Sequence, residues 1–287
     1  MLTVLIATYN RAKTLPRQLQ AMSELYPPNG GWKLVFINNG STDKTRDIIL
    51  EYANKLPIVV IDEQSHGKNR ALNMSLGSVE GDLVVLTDSD TVPDKDWLVN
   101  IRKTADENPE YDIFGGVIRP VWPDDTPEWI FRLVKLATYS ITPENQSDGP
   151  TKPELFFGPN VTIRTKVFGK GFRFNEEFGP REGSYRMGGD TEFISRIMAA
   201  GHKAWFCTAS RVKHIVTPDQ LEPKWFFKRA YYGGVFITGM NCGTQNPGAR
   251  KYSGCLAGLF ANYSRKRYMR LHIEPLGILI SISRINY

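Results

Sequence analysis

Asp88-Ser89-Asp90 sets two carboxylates two residues apart, directly after the apolar run Leu83-Val84-Val85-Leu86. Where the chain turns at such an exit, both side chains can reach one ligand. Mg²⁺ and Mn²⁺ take oxygen ligands, usually one or two carboxylates completed by substrate phosphates. The pair therefore suits a divalent ion that holds a phosphorylated substrate. Such a short pattern also arises by chance, and what gives it weight is its place at the end of a strand. Three further polar clusters follow apolar runs in the same half of the chain: Thr8-Tyr9-Asn10, Asn38-Asn39-Gly40-Ser41 and Asp62-Glu63. Any one of them reads equally well as turns and caps. Four at corresponding places read as the lining of one site.

The elements that position these clusters are visible in the periodicity. Leu2–Ala7, Lys33–Ile37, Ile58–Ile61 and Leu83–Leu86 are strand-like runs. Between them lie stretches of helical spacing: Leu15, Leu19, Met22 and Leu25 behind a capping Thr14, then Ile48, Ile49, Tyr52 and Leu56 behind Ser41 or Thr42, then Lys68–Leu76. Strands alternating with helices at this interval predict right-handed βαβ units and a mostly parallel sheet. In such sheets ligands sit outside the carboxyl ends of the strands, at a topological switch point. From 109 to 160 the chain is rich in Pro, Trp and acidic residues and has no clear period, which predicts a long functional excursion from the sheet. Gly189-Asp190-Thr191-Glu192 opens another helix, with Phe193, Ile194, Ile197 and Met198 inward, Asp190 as a candidate N-cap and Gly201 at C′. Ala204–Cys207 reads as one more strand.

Composition bounds the rest. With 287 residues, 41% hydrophobic and 23% charged, the chain is neither disordered nor a disulfide scaffold. Its three cysteines (Cys207, Cys242, Cys255) show no metal-type spacing and favour a reducing compartment. The net charge of +6 is unevenly spread: from Lys224 onward ten Lys/Arg face a single acid, Glu274, whereas the preceding residues hold 26 bases and 29 acids. A mildly acidic body with a basic, aromatic tail suggests an anionic partner. Neither a signal-peptide pattern nor a run of roughly 20 apolar residues is present, so a cytoplasmic location is expected.

Read in order, the motifs resemble the family 2 glycosyltransferases. Leu5-Ile6-Ala7-Thr8-Tyr9-Asn10-Arg11 is similar to that family's opening strand and nucleotide loop, and Phe36-Ile37-Asn38-Asn39-Gly40-Ser41-Thr42-Asp43 to its second nucleotide-binding turn. Gly67-Lys68-Asn69-Arg70-Ala71-Leu72-Asn73 precedes Leu86-Thr87-Asp88-Ser89-Asp90-Thr91-Val92-Pro93, which resembles the Asp-x-Asp motif. Gly158-Pro159-Asn160-Val161-Thr162-Ile163-Arg164 looks like the acceptor-side strand, Gly188-Gly189-Asp190-Thr191-Glu192-Phe193 like the catalytic-base motif, and Val212-Lys213-His214 like the late histidine. The ordered set covers about three-quarters of the chain.

The resemblance implies an α/β, GT-A (Rossmann-like) fold and an inverting, Mn²⁺- or Mg²⁺-dependent transfer from a nucleotide-diphosphate sugar to a hydroxyl. It implies that Asp90 is the first metal ligand, with Asp88 at the metal or the ribose and His214 on the metal side or the diphosphate. Asp190 is implied as general base, with Glu192 as the alternative. Thr8, Tyr9, Asn10, Arg11, Asn38, Asn39, Ser41, Lys68 and Asp88 are expected around the donor nucleotide, with Arg70 as a further cation there. Asn38 stands where the family usually has Asp, which leaves the base open; uracil is the default and thymine next. Gly189 stands where the family often has Glu, and Arg181 or Glu182 is expected to take that part beside Asn160 on the acceptor side. His66, His202 and His272 receive no role.

The expected organisation is a donor half at 1–105, an acceptor half at 106–217 and a helical, basic and aromatic extension at 218–287. The acceptor is expected to be a glycan or lipid-linked glycan of surface polysaccharide assembly. Residues 224–287 are expected to meet an anionic membrane, the acceptor, or only the body of the protein; nucleic acid has no support upstream. Two rivals use similar sheets. A non-catalytic nucleotide-sugar binder would lack one of Asp88, Asp90 and Asp190, and all three are present. A nucleotidyltransferase would show a glycine-rich loop after its first strand, and Thr8-Tyr9-Asn10-Arg11-Ala12-Lys13 has no glycine.

Overall fold

Four apolar runs form the strands β1 (Leu2–Thr8), β2 (Trp32–Asn38), β3 (Ile58–Asp62) and β4 (Leu83–Leu86). Between them run the helices α1 (Leu15–Ser23), α2 (Thr45–Glu51) and α3 (Lys68–Ser75). The structure is a computed structural model that describes residues 1–181, 184–229, 271–274 and 277–280. The four strands are parallel in the order β3-β2-β1-β4. The chain leaves β1 toward β2 and β3 and then crosses to β1's other side for β4. That reversal makes the switch point, so the loops after β1 and β4 open on one crevice.

Beyond β4 the sheet is mixed. β5 (Thr91–Pro93) and α4 (Trp97–Glu107) lead into β6 (Ile113–Val121), then α5 (Glu128–Leu133), β7 (Gly149–Pro150), β8 (Val161–Arg164) and α6 (Thr165–Gly169). A short pair, β9 (Gly179–Arg181) and β10 (Ser184–Arg186), precedes α7 (Gly189–Ala199) and β11 (Ala204–Ile215). Strand β8 runs antiparallel to both β4 and β6; β11 is parallel to β6 and antiparallel to β5 and β7. The sheet is thus parallel through its first half and mixed beyond it, where β6 and β11 are again a parallel pair.

Two expectations are corrected. Residues 113–121, placed in an excursion from the sheet, are a central strand. Their lack of alternation follows from burial on both faces and from two glycines. A Cβ on Gly115 would lie 2.8 Å from the Phe156 ring, and one on Gly116 2.3 Å from Asn160 Nδ2. The last strand also continues past Cys207 through a bulge to Ile215, so His214 lies on β11 itself.

Alternation along β1 divides the core. Leu2, Val4 and Ile6 face Leu15, Leu19, Trp97, Leu98 and Ile101 on one side of the sheet. On the other side Leu5, Val35, Val84 and Leu86 pack against Ala71, Leu72, Phe193, Ile194 and Ile197. Each such fully buried side chain contributes about 1.5–3 kcal/mol, which makes the sheet a rigid platform for its loops. A third cluster joins Ile130, Val134, Tyr139 and Ile141 to Val216 and Leu221, with Trp122, Trp129, Trp225 and Phe226 packed against it. Through it the helical stretch 223–229 belongs to the first of two compact units, Met1–Gly233 and Gly234–Tyr287. In the second unit the described residues form an antiparallel pair, β12 (Leu271–Glu274) and β13 (Gly277–Ile280), where helix was expected. Of the residues on which the basic-aromatic reading of the tail rests, Trp225, Phe226, Phe227, Lys228 and Arg229 lie in the stretch 223–229, with Trp225 and Phe226 packed on the third cluster; Tyr231, Tyr232, Tyr263, Arg265, Lys266, Arg267, Tyr268 and Arg270 lie outside the described residues, as does Glu182. No helix among the described residues is long and apolar enough to cross a membrane.

Candidate active site

The loops after β1 and β2 are tied into one surface by the polar residues of both. Asn10 adopts a left-handed conformation (φ 50°), a cost its short side chain recovers by local hydrogen bonds. Its backbone N–H donates to Ser41 Oγ (3.0 Å), and its Oδ1 accepts from the Thr42 N–H (2.8 Å). Arg11 N–H donates to Thr45 Oγ1 (2.7 Å) and Ala12 N–H to Asp43 Oδ2 (3.1 Å). Partial burial works to raise the Asp43 carboxyl, but donors from Thr45 and Ala12 outweigh it and hold it below the usual carboxylate range. Asn39 clamps the next loop: its Oδ1 accepts from Gly67 N–H (2.8 Å) and its Nδ2 donates to Ser65 O (2.7 Å). Asn38 Nδ2 donates to Asp62 Oδ1 (2.8 Å), and Arg46 Nε approaches the same carboxylate at 3.0 Å. Tyr9 stays 49% exposed, edge-on to His66 at 5.2 Å.

Lys68, at the start of α3, stands at the centre. Its Nζ lies 2.6 Å from Asp88 Oδ1 and 3.8 Å from Asp190 Oδ2. The surrounding carboxylates outweigh burial and raise the lysine above its ordinary value, so it is charged at neutral pH. Asp190 is 29% exposed and accepts the Gly158 backbone N–H. Burial is the largest influence on it and raises its carboxyl, Lys68 opposes this, and Asp88 raises it further. The approach is close: a Cβ on Gly158 would lie 2.5 Å from Asp190 Oδ2 and 3.0 Å from Lys68 Nζ, so any larger residue would push both side-chain ends aside.

Asp90 belongs to the same turn but faces other partners. Arg11 Nη2 lies 3.4 Å from its Oδ2 and His214 Nε2 3.5 Å from its Oδ1. The second distance is longer than a hydrogen bond, and Oδ1 is a buried acceptor without a hydrogen-bonding partner. His214 Nδ1 donates to the Tyr139 carbonyl at 2.8 Å, so Nε2 is the nitrogen turned to Asp90 and is open to a proton or a metal. Burial works to raise Asp90, but His214, Arg11 and Lys68 hold it down at about 2. Burial works against the charged His214, and Asp90 outweighs it, raising the imidazole. An orphaned carboxylate oxygen facing a fixed imidazole nitrogen fits a divalent ion. No group of three or more His, Cys, Asp or Glu among the described residues is arranged to hold one, so further ligands would come from substrate phosphate or water.

Other expected residues fall elsewhere. Asp190 is not the N-cap; Gly188 is (φ 85°), and Asp190 sits in the first turn with its side chain turned to Lys68 and Gly158. Glu192 pairs with Arg196 at 2.8 Å along its own helix. Asn160 is 2% exposed and engaged on both amide atoms: Oδ1 accepts from Trp97 Nε1 and Ser210 Oγ, and Nδ2 donates to Val117 O and Ser210 O. Arg70 is exposed and lines a cavity of about 170 Å³ with His66, Glu176 and Glu177. Thr8 Oγ1 is buried without a partner. A Cβ on Gly189 would lie 2.7 Å from Asn69 Nδ2, so a glutamate there would displace Asn69. Arg181 is placed by its backbone alone, on β9.

Two residues of the site, Gln18 and Tyr139, escape sequence reasoning, and for Gly158 and Asp62 the sequence shows no partner. Gln18, fully buried on α1, donates to the Asp88 carbonyl and to Thr91 Oγ1, fixing the Asp88–Asp90 turn from below. Gly158, Tyr139 and Asp62 act through contacts with residues distant in the chain. Asp62 is legible as a polar strand end and Gly158 as the first residue of the acceptor-side motif.

Comparison with known proteins fits this arrangement. The family model described as Glycosyl transferase family 2 matches residues 3–172. Glycosyltransferase AglE of Haloferax volcanii is 24% identical over 208 residues, 71% of this chain and 63% of that protein. The poly(ribitol-phosphate) beta-N-acetylglucosaminyltransferase TarS of Staphylococcus aureus is 30% identical over 108 residues, 37% of this chain and 19% of that protein. The chain thus spans less than two-thirds of these relatives. Among solved structures, the mannosyltransferase PcManGT of Pyrobaculum calidifontis, in complex with GDP-Man and Mn²⁺, superposes with a TM-score of 0.63 at 20% identity, covering 91% of this chain and 70% of that one. S. aureus TarS 1-349 in complex with UDP gives 0.55 at 19% identity, covering 92% and 72%. With the family model matching more than half of its length, the chain belongs to glycosyl transferase family 2.

Proposed function

We propose that this chain is a metal-dependent, inverting transferase. Its donor is a nucleoside-diphosphate sugar, uridine being the default, and its acceptor a hydroxyl on a glycan or lipid-linked glycan in surface polysaccharide assembly. The observation that carries this reading is the position of Lys68, within 3.8 Å of both Asp88 and Asp190. It brings a candidate base into the same site as the Asp-x-Asp turn.

Asp190 accepts the proton of the acceptor hydroxyl. The acceptor oxygen then bonds to the anomeric carbon as the bond from that carbon to the diphosphate breaks, and entry opposite the leaving group inverts the centre. A carboxyl raised by burial is the stronger base for this step. Arg11 and Lys68 balance charge gathering on the departing diphosphate. Asp90 and His214 would hold a divalent ion, which when bound supplies Lewis-acid neutralisation of the diphosphate oxygens. PcManGT, with Mn²⁺ and GDP-Man in its complex, supports that assignment by analogy.

The test is Asp190→Asn. Release of nucleoside diphosphate from a nucleotide sugar with Mn²⁺ should fall by about 10²–10⁴-fold, while binding of the diphosphate by calorimetry stays within threefold. Undiminished turnover in a folded variant would remove Asp190 as the base.

A further inference from the structure

The turn that carries Asp88 and Asp90 is anchored by its own carbonyls. Gln18 Nε2 on α1 donates to the Asp88 carbonyl at 2.5 Å, and Thr14 Oγ1 to the Ser89 carbonyl at 3.3 Å. The Ile215 N–H on β11 donates to the Asp90 carbonyl at 2.8 Å. Thr87, which opens the turn, has its side chain engaged elsewhere. It is buried, and its Oγ1 lies 2.7 Å from the Pro159 carbonyl. A carbonyl can only accept, so the hydrogen of that bond is the one on Thr87. Thr91 Oγ1 stands 2.9 Å from Thr87 Oγ1 and accepts from Gln18 Nε2 at 2.8 Å. With the Asp88 carbonyl served by Gln18, Thr91 gives its own hydrogen to Thr87. Gln18, Thr91, Thr87 and Pro159 thus form one directed chain, in which each bond strengthens the next away from water.

The far end of the chain touches the other half of the site. Pro159 is buried, and its ring fixes φ, so a displacement of its carbonyl is not absorbed by rotation about that bond. On one side of it Asn160 is pinned through its side chain by Trp97, Val117 and Ser210. On the other side Gly158 holds Asp190: its N–H donates to that carboxylate, and a Cβ on it would stand 2.5 Å from Asp190 Oδ2. A shift of the Pro159 carbonyl therefore falls on Gly158 and, through it, on Asp190.

We infer that Thr87 is a positioning residue for the transfer step: its hydroxyl, acting through Pro159 and Gly158, sets the place of the Asp190 carboxylate relative to the Asp88–Asp90 turn. The inference rests on the reading of Asp190 as the base and adds to it what keeps that base in register with the donor side. A methyl group in place of the hydroxyl could come no nearer to the carbonyl than ordinary contact at 3.4 Å. Set against the 2.7 Å of the hydrogen bond, the Pro159 carbonyl would retreat by about 0.7 Å. A misplacement of about 1 Å in a reacting group costs on the order of 10² in rate, and this smaller one should cost about 10–100-fold. The turn itself, held by its carbonyls, should keep its place.

The experiment compares Thr87→Val, which keeps the shape and loses the hydrogen bond, with Thr87→Ser, which keeps the hydrogen bond and loses the methyl. Turnover of the full chain is followed as nucleoside diphosphate released from UDP- and GDP-sugars with Mn²⁺. Calorimetry with the diphosphate that the wild type releases gives its affinity and the number of competent sites. Thr87→Val is expected to lose about 10–100-fold in kcat per competent site, with KM for the donor and affinity for the diphosphate within about threefold. Thr87→Ser should return kcat to within about threefold of wild type. A residue that only stabilised the fold would lower the number of competent sites and leave kcat per site unchanged. The inference is overturned if Thr87→Val turns over within about threefold of wild type, if diphosphate affinity falls as far as kcat, or if Thr87→Ser is as slow as Thr87→Val. Should Thr87→Val not fold, Thr87→Ala is judged by the same outcomes. If the wild type releases no diphosphate from any nucleotide sugar, the transferase reading fails and this inference with it; if it turns over and Thr87 is indifferent, only this inference fails.

Discussion

Gly158→Ala adds one methyl at the tightest point of the site. Its Cβ would sit 2.5 Å from Asp190 Oδ2, against 3.4 Å for the near edge of ordinary contact, so the carboxylate must retreat by about 0.9 Å. Lys68 Nζ, at 3.0 Å from the same point, has to give way as well. A misplacement of about 1 Å in a reacting group costs on the order of 10² in rate, or about 2.7 kcal/mol of barrier. Overpacking a rigid core would cost about 1–3 kcal/mol of stability. Here the crowded atom is the end of a partly exposed side chain, so most of the effect should appear in turnover and little in melting. The assay follows nucleoside diphosphate released from a nucleotide sugar with Mn²⁺, with calorimetric affinity for the free diphosphate measured in parallel. We expect kcat to fall by about 100-fold, affinity to change by less than threefold and the melting temperature to stay within about 3 °C, less than about 1 kcal/mol of stability. Turnover within threefold of wild type would show that Asp190 need not occupy the place described, and with it the assignment of the base would fall.

Chelation with EDTA should abolish turnover, and Asp90→Ala and His214→Ala should each raise the Mn²⁺ needed for half-maximal rate roughly tenfold or more; full activity after chelation would refute the metal role. Asp112 is opposed by burial but held below the usual carboxylate range by Lys166 (2.6 Å) and His202. Because the folded-state value is lowered, its stabilisation is complete above the ordinary carboxylate value of about 3.9 and is lost as pH falls through the lower, folded value. Asp112→Asn should therefore cost about 2 kcal/mol at pH 7, roughly 4–8 °C, and the gap to wild type in calorimetric melts should close toward pH 3. Removing 250–287 should weaken sedimentation with anionic lipid vesicles at low salt; unchanged sedimentation would end the membrane reading of the tail.

The site was legible where its residues are neighbours in the chain. Asp88 and Asp90 stand together, and the strand-and-helix alternation around them is local, so their exit from a strand end could be read directly. Asp190 was legible by motif, yet its direction was not. A first-turn carboxylate either turns back to cap its helix or outward to a partner, and the partners here, Lys68 and Gly158, are fixed by packing. Residues 113–121 misread because a strand buried on both faces, with paired glycines that admit Phe156 and Asn160, shows no alternation.

By itself the sequence determined the family, the four parallel strands and the charged groups available to the site, because periodicity and short motifs are properties of adjacent residues. Tertiary structure alone decided which of those groups meet. Gln18 lies 70 residues from the carbonyl it holds, His214 is oriented by a carbonyl 75 residues away, and Asp62 meets Asn38 only because β2 and β3 share a register. A hydrogen bond is settled to a few tenths of an ångström, and that precision comes from the packed sheet on which the loops stand.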